Sequence, residues 1–239
     1  MVGPSVGERL NRIRLRMAEA CARSGRDPAS VRILAVSKLQ GLGKIREAYE
    51  AGQVDFAENY VQEAVDKLEQ LYSLPVNWHF IGRIQSNKVK FLKDRFYAIH
   101  SIERLSVAEH LNRLTARPPQ RVFLQFNVGA ESSKAGADES ELENLLGGVI
   151  SSCPGLSVQG LMVMPPQHED PELSRPYFIR AREVLRRLRE GLGAGHARLH
   201  PLDQLSMGTS GDFEVAIEEG ATWVRIGTDV FGPREERNE

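Results

Sequence analysis

Gln204-Leu205-Ser206-Met207-Gly208-Thr209-Ser210-Gly211-Asp212 is followed shortly by Val224-Arg225-Ile226-Gly227-Thr228-Asp229-Val230-Phe231-Gly232, and each stretch reads as a buried strand opening into a turn of phosphate size. Gly208, Gly211 and Gly227 let backbone N–H groups approach an anion, Ser206 and Thr228 add hydroxyls, and Ser210 is placed to N-cap a helix starting near Asp212. Gly, Ser and Thr punctuate most loops, so either turn alone says little. The pair says more, because the loops after the last two strands of an eight-stranded β/α barrel are the usual phosphate site of that fold.

Working outward, short apolar runs suited to buried parallel strands occur at Val31 to Ser37, Val54 to Glu58, Trp78 to Ile81, Tyr97 to Ile102, Val122 to Val128, Val158 to Met164, Gln204 to Met207 and Trp223 to Ile226. Helical patterns lie between them, clearest from Lys44 to Ala51, Glu141 to Ile150, Phe178 to Leu188 and Phe213 to Glu219. An opening helix is announced by the capping box Ser5-x-x-Glu8 and stops at Ser24-Gly25. Eight alternations argue for a closed (β/α)8 TIM barrel over an open doubly wound sheet. The 239 residues suit one such domain, expected to span residues 1–239 with the first helix as an N-terminal cap.

Composition bounds the function. A net charge of -1 gives no footprint for nucleic acid or an anionic membrane. Arg180, Arg182, Arg186, Arg187 and Arg189 share a helix with the apolar stripe Phe178, Ala181, Val184, Leu185 and Leu188, which makes them a solvated outer face. Cys21 and Cys153 are too few for a disulfide framework or a metal site. Neither a signal peptide nor a membrane-length apolar run is read, so a cytoplasmic location is expected.

Two charged residues break the strand pattern. Lys38 follows Ile33-Leu34-Ala35-Val36-Ser37, at the carboxyl end of the first strand where barrel active sites lie. Desolvated there, its amine would lose its proton readily and could form a Schiff base with an aldehyde; alternatively the side chain simply exits into water. Arg225 sits between Val224 and Ile226, where a buried charge needs an acceptor: a carboxylate, or a ring nitrogen of a ligand. Against a pyridine, an always-charged guanidinium would keep the ring nitrogen unprotonated and the ring a weaker electron sink. Asn59 could bond a phenolic oxygen or cap the helix that follows, and His79 could face a ligand or be a satisfied core histidine. Asn87 and Lys88 after strand three, Glu131, Lys134 and Gly136 after strand five, and Met162 and Met164 on strand six fall on the same rim by count.

Taken in order, Ala35-Val36-Ser37-Lys38, Glu58-Asn59-Tyr60-Val61-Gln62-Glu63, Trp78-His79-Phe80-Ile81-Gly82 with Gln85-x-Asn87-Lys88, Asn127-Val128, Gly160-Leu161-Met162, Ser206-Met207-Gly208 and Val224-Arg225-Ile226-Gly227-Thr228 resemble the pyridoxal-phosphate homeostasis protein family (YggS/PROSC-like) over nearly the whole chain. The resemblance implies a fold-type III barrel of the alanine racemase N-terminal kind, with pyridoxal 5'-phosphate (PLP) as a Schiff base on Lys38. It implies Arg225 at the pyridine nitrogen, Asn59 near the ring, and Ser206, Gly208, Gly227 and Thr228 on the phosphate; His79, Met164 and Thr209 complete the expected cofactor-binding set. Ala57, Thr209 and Asp229 depart from the family pattern and imply local adjustment only.

The function so implied is vitamin B6 homeostasis, as a carrier or buffer without robust catalysis, in a monomer that makes transient contact with PLP-dependent apo-enzymes. Racemases of this fold add a C-terminal domain that supplies a tyrosine base, and this chain ends at Glu239, just past its eighth strand, so no donor of a second base is expected. Two alternatives stand beside it: a small amino-acid racemase with Lys38 as base, and a barrel aldolase acting on a sugar phosphate, which leaves Arg225 unexplained.

Overall fold

The computed structural model describes residues 3–116, 119–129 and 135–233. Among them the chain runs α1 (Val6–Arg23), β1 (Arg32–Val36), α2 (Leu42–Glu50), β2 (Asp55–Glu58), α3 (Val61–Gln70), β3 (Asn77–Phe80), β4 (Ala98–Ile102), α4 (Leu105–Leu114), β5 (Gln120–Phe126), α5 (Glu139–Ser152), β6 (Leu156–Val163), α6 (Arg175–Glu190), α7 (Ala194–Ala197), β7 (Gln204–Ser206), α8 (Phe213–Glu218), β8 (Trp223–Ile226) and α9 (Thr228–Phe231). All eight strands pair in parallel in sequence order, and β8 returns to β1 through Arg32↔Trp223 to Ala35↔Ile226, closing a (β/α)8 barrel. The crossover from β3 to β4 is a 3₁₀ turn, Ser86–Phe91, in place of a full helix.

Each strand presents alternate residues to two different cores. Leu34, Ala57, Ala98, Phe123, Met162 and Trp223 come from six strands yet cluster together, which only the barrel interior allows. Residues of the other parity, such as Ile33, Phe56, Phe80, Val122, Leu161 and Val224, pack outward against the helices. Helix α1 begins with the capping box of Ser5 and Glu8 and lays Val6, Leu10, Ile13, Met17 and Ala20 against α2, α8 and α9. It thereby closes the outer layer beside the single-turn α9. Arg16 fastens the seam, bonding Glu214 at 2.7 Å and Asp229 at 3.2 Å.

The arginine face of α6 is neutralised at close range. Arg180 and Arg187 pair with Glu139, Arg182 with Glu219 and Arg186 with Glu190. Among the described residues no helix is long and apolar enough to cross a membrane, and no group of three potential metal ligands occurs.

Candidate binding site at the barrel mouth

Strand β1 stops at Val36 because the chain is diverted into a turn, Lys38-Leu39, in which Leu39 takes the left-handed conformation at φ 60°. A non-glycine residue in that region is strained and must be held by its surroundings. The Leu39 N–H donates to Glu63 Oε1 at 2.6 Å. Lys67 Nζ bonds Glu63 Oε1 at 2.7 Å, Glu58 Oε1 at 2.8 Å and the Ser37 carbonyl at 2.6 Å, while Ser37 Oγ donates to Glu58 Oε1 at 2.7 Å. Burial pushes the Glu58 carboxyl up, and the Lys67 ammonium opposes that shift. This network, which the sequence reading did not foresee, fixes the half-buried Lys38 at the strand end.

Asn59 follows β2 and does not cap the next helix; the N-cap of α3 is Tyr60, with no side-chain capping bond. Asn59 Oδ1 is instead buried without a hydrogen-bond partner among the described residues. A buried amide oxygen left unpaired costs about 1–3 kcal/mol, so the position suits a group delivered from outside the chain. Gly82, at the end of β3, makes the approach possible: a Cβ there would stand 1.8 Å from the Asn59 carbonyl oxygen.

Arg225 is 4% exposed and forms no ion pair among the described residues. Of the two acceptors weighed from sequence, the carboxylate is therefore not the one found. Its Nη1 donates to the Ser206 carbonyl at 2.5 Å and to Ser206 Oγ at 3.2 Å, and its Nη2 to the Val163 carbonyl at 2.8 Å. Burial pulls its pKa down to about 10, with Asp212 partly offsetting that, so the group stays cationic at neutral pH. A desolvated cation held only by neutral oxygens has capacity left for a further acceptor.

Two expected contacts lie deeper than the mouth. His79 is fully buried, level with Ala57 and Ala98 in the sheet register, and both its ring nitrogens are taken, Nδ1 by His100 at 3.0 Å and Nε2 by Asp55 at 3.4 Å. Strand parity turns the ring inward, but the register of β3 sets it one pair below the rim. Ser206 is likewise fully buried, its hydroxyl 3.0 Å from His100 Nδ1 and engaged by Arg225. Met162 is core at 1% exposure, whereas Met164 is 45% exposed just past β6.

The cup forms much as its glycines suggest. Gly208 has φ 89°, and a Cβ on it would lie 2.6 Å from Ala216 Cβ. Thr209 is captured by Asp212, whose Oδ1 accepts from its N–H at 2.7 Å and its hydroxyl at 3.0 Å. Asp212, not Ser210, stands at the N-cap of α8, and its side chain folds back on Thr209 without bonding the helix N–H groups. The N–H groups of Ser210 and Gly211 make no bond among the described residues. Gly227 N-caps α9, and Thr228, exposed, opens its first turn. Asn87 is exposed and Lys88 lies 5.6 Å over the Phe91 ring. Gly136 takes φ 124°, and a Cβ there would stand 2.8 Å from the Asn127 nitrogen; Glu131 and Lys134 lie outside the described residues. His100, Asp55, Glu58 and Lys67 were missed from sequence, although His100 and Asp55 sit at inward positions of strands that were recognised.

Residues 9–235 match the model of the alanine racemase N-terminal domain. The chain is 43% identical over 233 residues to the pyridoxal phosphate homeostasis protein of Pseudomonas aeruginosa, covering 97% of this chain and 96% of that one. It is 42% identical to the protein of the same name from Aquifex aeolicus, covering 95% and 97%. PipY of Synechococcus elongatus, solved with PLP bound, superposes with a TM-score of 0.77 at 37% identity, covering 92% of this chain and all of that one. Alanine racemase from Corynebacterium glutamicum shares the fold at 18% identity and a TM-score of 0.65, this chain spanning 61% of its length. With a closed parallel barrel, a lysine at the end of its first strand and relatives matched along almost their whole length, this chain belongs to the pyridoxal phosphate homeostasis protein family, on the barrel of the alanine racemase N-terminal domain.

Proposed function

We propose that this protein binds pyridoxal 5'-phosphate at the barrel mouth, covalently through Lys38, and holds it for delivery to other proteins instead of using it in catalysis. The observation that carries the reading is Arg225, a buried guanidinium with no carboxylate partner among the described residues, anchored by the Val163 and Ser206 carbonyls. The residues fit the cofactor: the unpaired Asn59 amide oxygen would accept from the phenolic O–H, and Gly208, at φ 89° and packed against Ala216 and Phe213 of α8, sets the turn that a phosphate would meet. Backbone N–H groups of Ser210 and Gly211, with Gly227 and Thr228 opposite, would hold the phosphate. Met164, exposed just past β6, would border the ligand from the rim.

When bound, the cofactor supplies an aldehyde that condenses with amines and a ring that withdraws electrons best when its nitrogen is protonated. Arg225 would donate an N–H to that nitrogen and, keeping its own proton, leave it unprotonated. Carbanion chemistry is thereby disfavoured, while exchange of one amine for another is not. Lys38, set at the strand end by the Ser37, Glu58 and Lys67 network, supplies the amine on the protein side. We place the protein in the cytoplasm as a monomer meeting PLP-dependent apo-enzymes transiently.

The test is an absorbance spectrum of the protein with PLP, before and after borohydride reduction. A visible band lost on reduction, with the pyridoxyl group mapped to Lys38 and absent in Lys38→Ala, is expected. Exchange of the α-proton of alanine or serine at rates typical of enzymes, about 1 s⁻¹ or more, would overturn the carrier reading. Absence of the band would overturn cofactor binding itself.

A further inference from the structure

Four side chains join the floor of the barrel to Arg225. Asp55 opens β2 at the amino end, its Oδ2 accepting from Arg32 at 2.8 Å and its Oδ1 from Asn77 at 2.9 Å. His79 Nε2 lies 3.4 Å from Asp55 Oδ1, His79 Nδ1 3.0 Å from His100 Nε2, and His100 Nδ1 3.0 Å from Ser206 Oγ. Ser206 Oγ in turn stands 3.2 Å from Arg225 Nη1. His100 is stacked on Phe123 at 4.1 Å, and His79 lies 4.9 Å from Trp223 and 5.1 Å from Tyr97 between ring centroids.

We propose that Asp55, His79, His100 and Ser206 form a one-way hydrogen-bond chain that positions Arg225, so that Ser206 serves the ring-nitrogen end of the site and not its phosphate cup. The second half of this statement rests on the PLP reading above; the first does not. Direction follows from donor counting. A carboxylate only accepts, so His79 carries its hydrogen on Nε2. With the ring neutral, His79 Nδ1 accepts, which makes His100 Nε2 a donor and His100 Nδ1 an acceptor. Ser206 must then give its single proton to His100, which turns its lone pairs toward Arg225 Nη1. Neutral rings are what the interior favours: burial lowers both histidines, outweighing the pull of Asp55 on His79, and Arg32 and Arg121 face His79, and Arg225 faces His100, with positive charge.

Reversing any link would aim the Ser206 proton at a guanidinium and leave a buried polar atom unpaired, a local penalty of about 1–3 kcal/mol. Asp55 therefore acts on Arg225 from the far end of the barrel, through residues that never touch the mouth. Ser206 has no proton left for a phosphate oxygen.

Two measurements decide it. Long-range 1H–15N correlation spectra of the histidine rings, taken on the protein without cofactor at pH 7, are expected to show His79 and His100 neutral with the hydrogen on Nε2. An Nδ1–H tautomer at either ring overturns the chain whatever the protein binds. Affinities of Ser206→Ala for PLP and for pyridoxal, which lacks the phosphate, are the second. Removal of one hydrogen bond to a charged group predicts a loss of about tenfold, equal for the two ligands. A loss confined to PLP would make Ser206 a phosphate donor, and no loss with either would remove it from the site; both overturn the assignment. If the unaltered protein binds neither ligand, it is the PLP reading that fails, and the ring spectra still judge the chain.

Discussion

Lys67 is the residue on which the lysine turn depends, though it was invisible as a functional residue in sequence, where it reads as one more helix surface charge. It is 5% exposed, and its ammonium bonds Glu58, Glu63 and the Ser37 carbonyl together. Glu58 is fully buried and already has one oxygen, Oε2, with no partner among the described residues. Taking away the one cation that pairs with it among the described residues would strand a charge in the interior, and breaking one side of a buried pair typically costs about 3–5 kcal/mol. Lys67→Met is therefore expected to lower the urea midpoint sharply, and Glu58→Gln combined with Lys67→Met to recover part of the loss. A single variant within about 0.5 kcal/mol of the parent would show the network to be surface decoration. Stability aside, the same variant frees Glu63 from one of its two tasks, and the other is to hold Leu39 in its left-handed turn next to Lys38.

At the scale of elements, the turn from β7 into α8 is shaped by one atom that is absent. Gly208 takes φ 89°, and an added methyl would stand 2.6 Å from Ala216 Cβ and 3.0 Å from Phe213 Cα, both on the following helix. Gly208→Ala must therefore push α8 away from the cup, with a strain and overpacking cost of order 2–4 kcal/mol. Gly211→Ala, where a methyl meets nothing within 4 Å, is the control and is expected to change stability by less than about 0.5 kcal/mol. Thermal unfolding of the pair separates a packing requirement from a merely flexible turn, and equal effects would refute it. The strands themselves were legible because a strand buried on both faces is a continuous apolar run; Trp223–Ile226 matches its expected bounds and the others shift by one or two residues. Helices α3 and α4 were not specified in advance; they start at Tyr60 and Arg104, which are not N-cap residue types and make no side-chain capping bond. In the site, Lys38, Arg225 and Gly208 stood out because each violates its local pattern. The depth of Ser206 and His79 was not legible, because hydroxyl direction and ring depth depend on the register between strands, which no single segment contains.

Across the whole molecule, a barrel that encloses two neutral histidines has a characteristic response to acid. Burial holds His79 below its ordinary value of 6.5 and His100 well below it; His200, partly buried, is lowered as well. The unfolded chain takes up protons on these rings as pH falls through about 6.5 while the folded chain does not, so stability must fall from that point downward until the folded values are reached. For two rings that stay neutral, the loss between pH 6.5 and 5.5 is about 2 kcal/mol, each contributing up to about 1.4 kcal/mol per pH unit lower still. Glu58 works in the opposite sense, since burial raises it and makes the folded state bind a proton first, which offsets part of the histidine loss as pH falls. Asp55, held down by His79, Asn77 and Arg32 against its burial, withdraws its contribution only below the normal carboxylate value of 3.8. The Asp55 contribution therefore lies below the histidine window, while Glu58 reduces the size of the loss seen within it. Urea unfolding at pH 7.5, 6.5 and 5.5 is expected to show a shallow first interval, about 0.7 kcal/mol for the two rings, and a steeper second one. A midpoint unchanged to pH 5.5 would mean that the rings charge inside the fold; a cation would then stand beside Ser206, and Arg225 could not be the sole positive group behind the mouth.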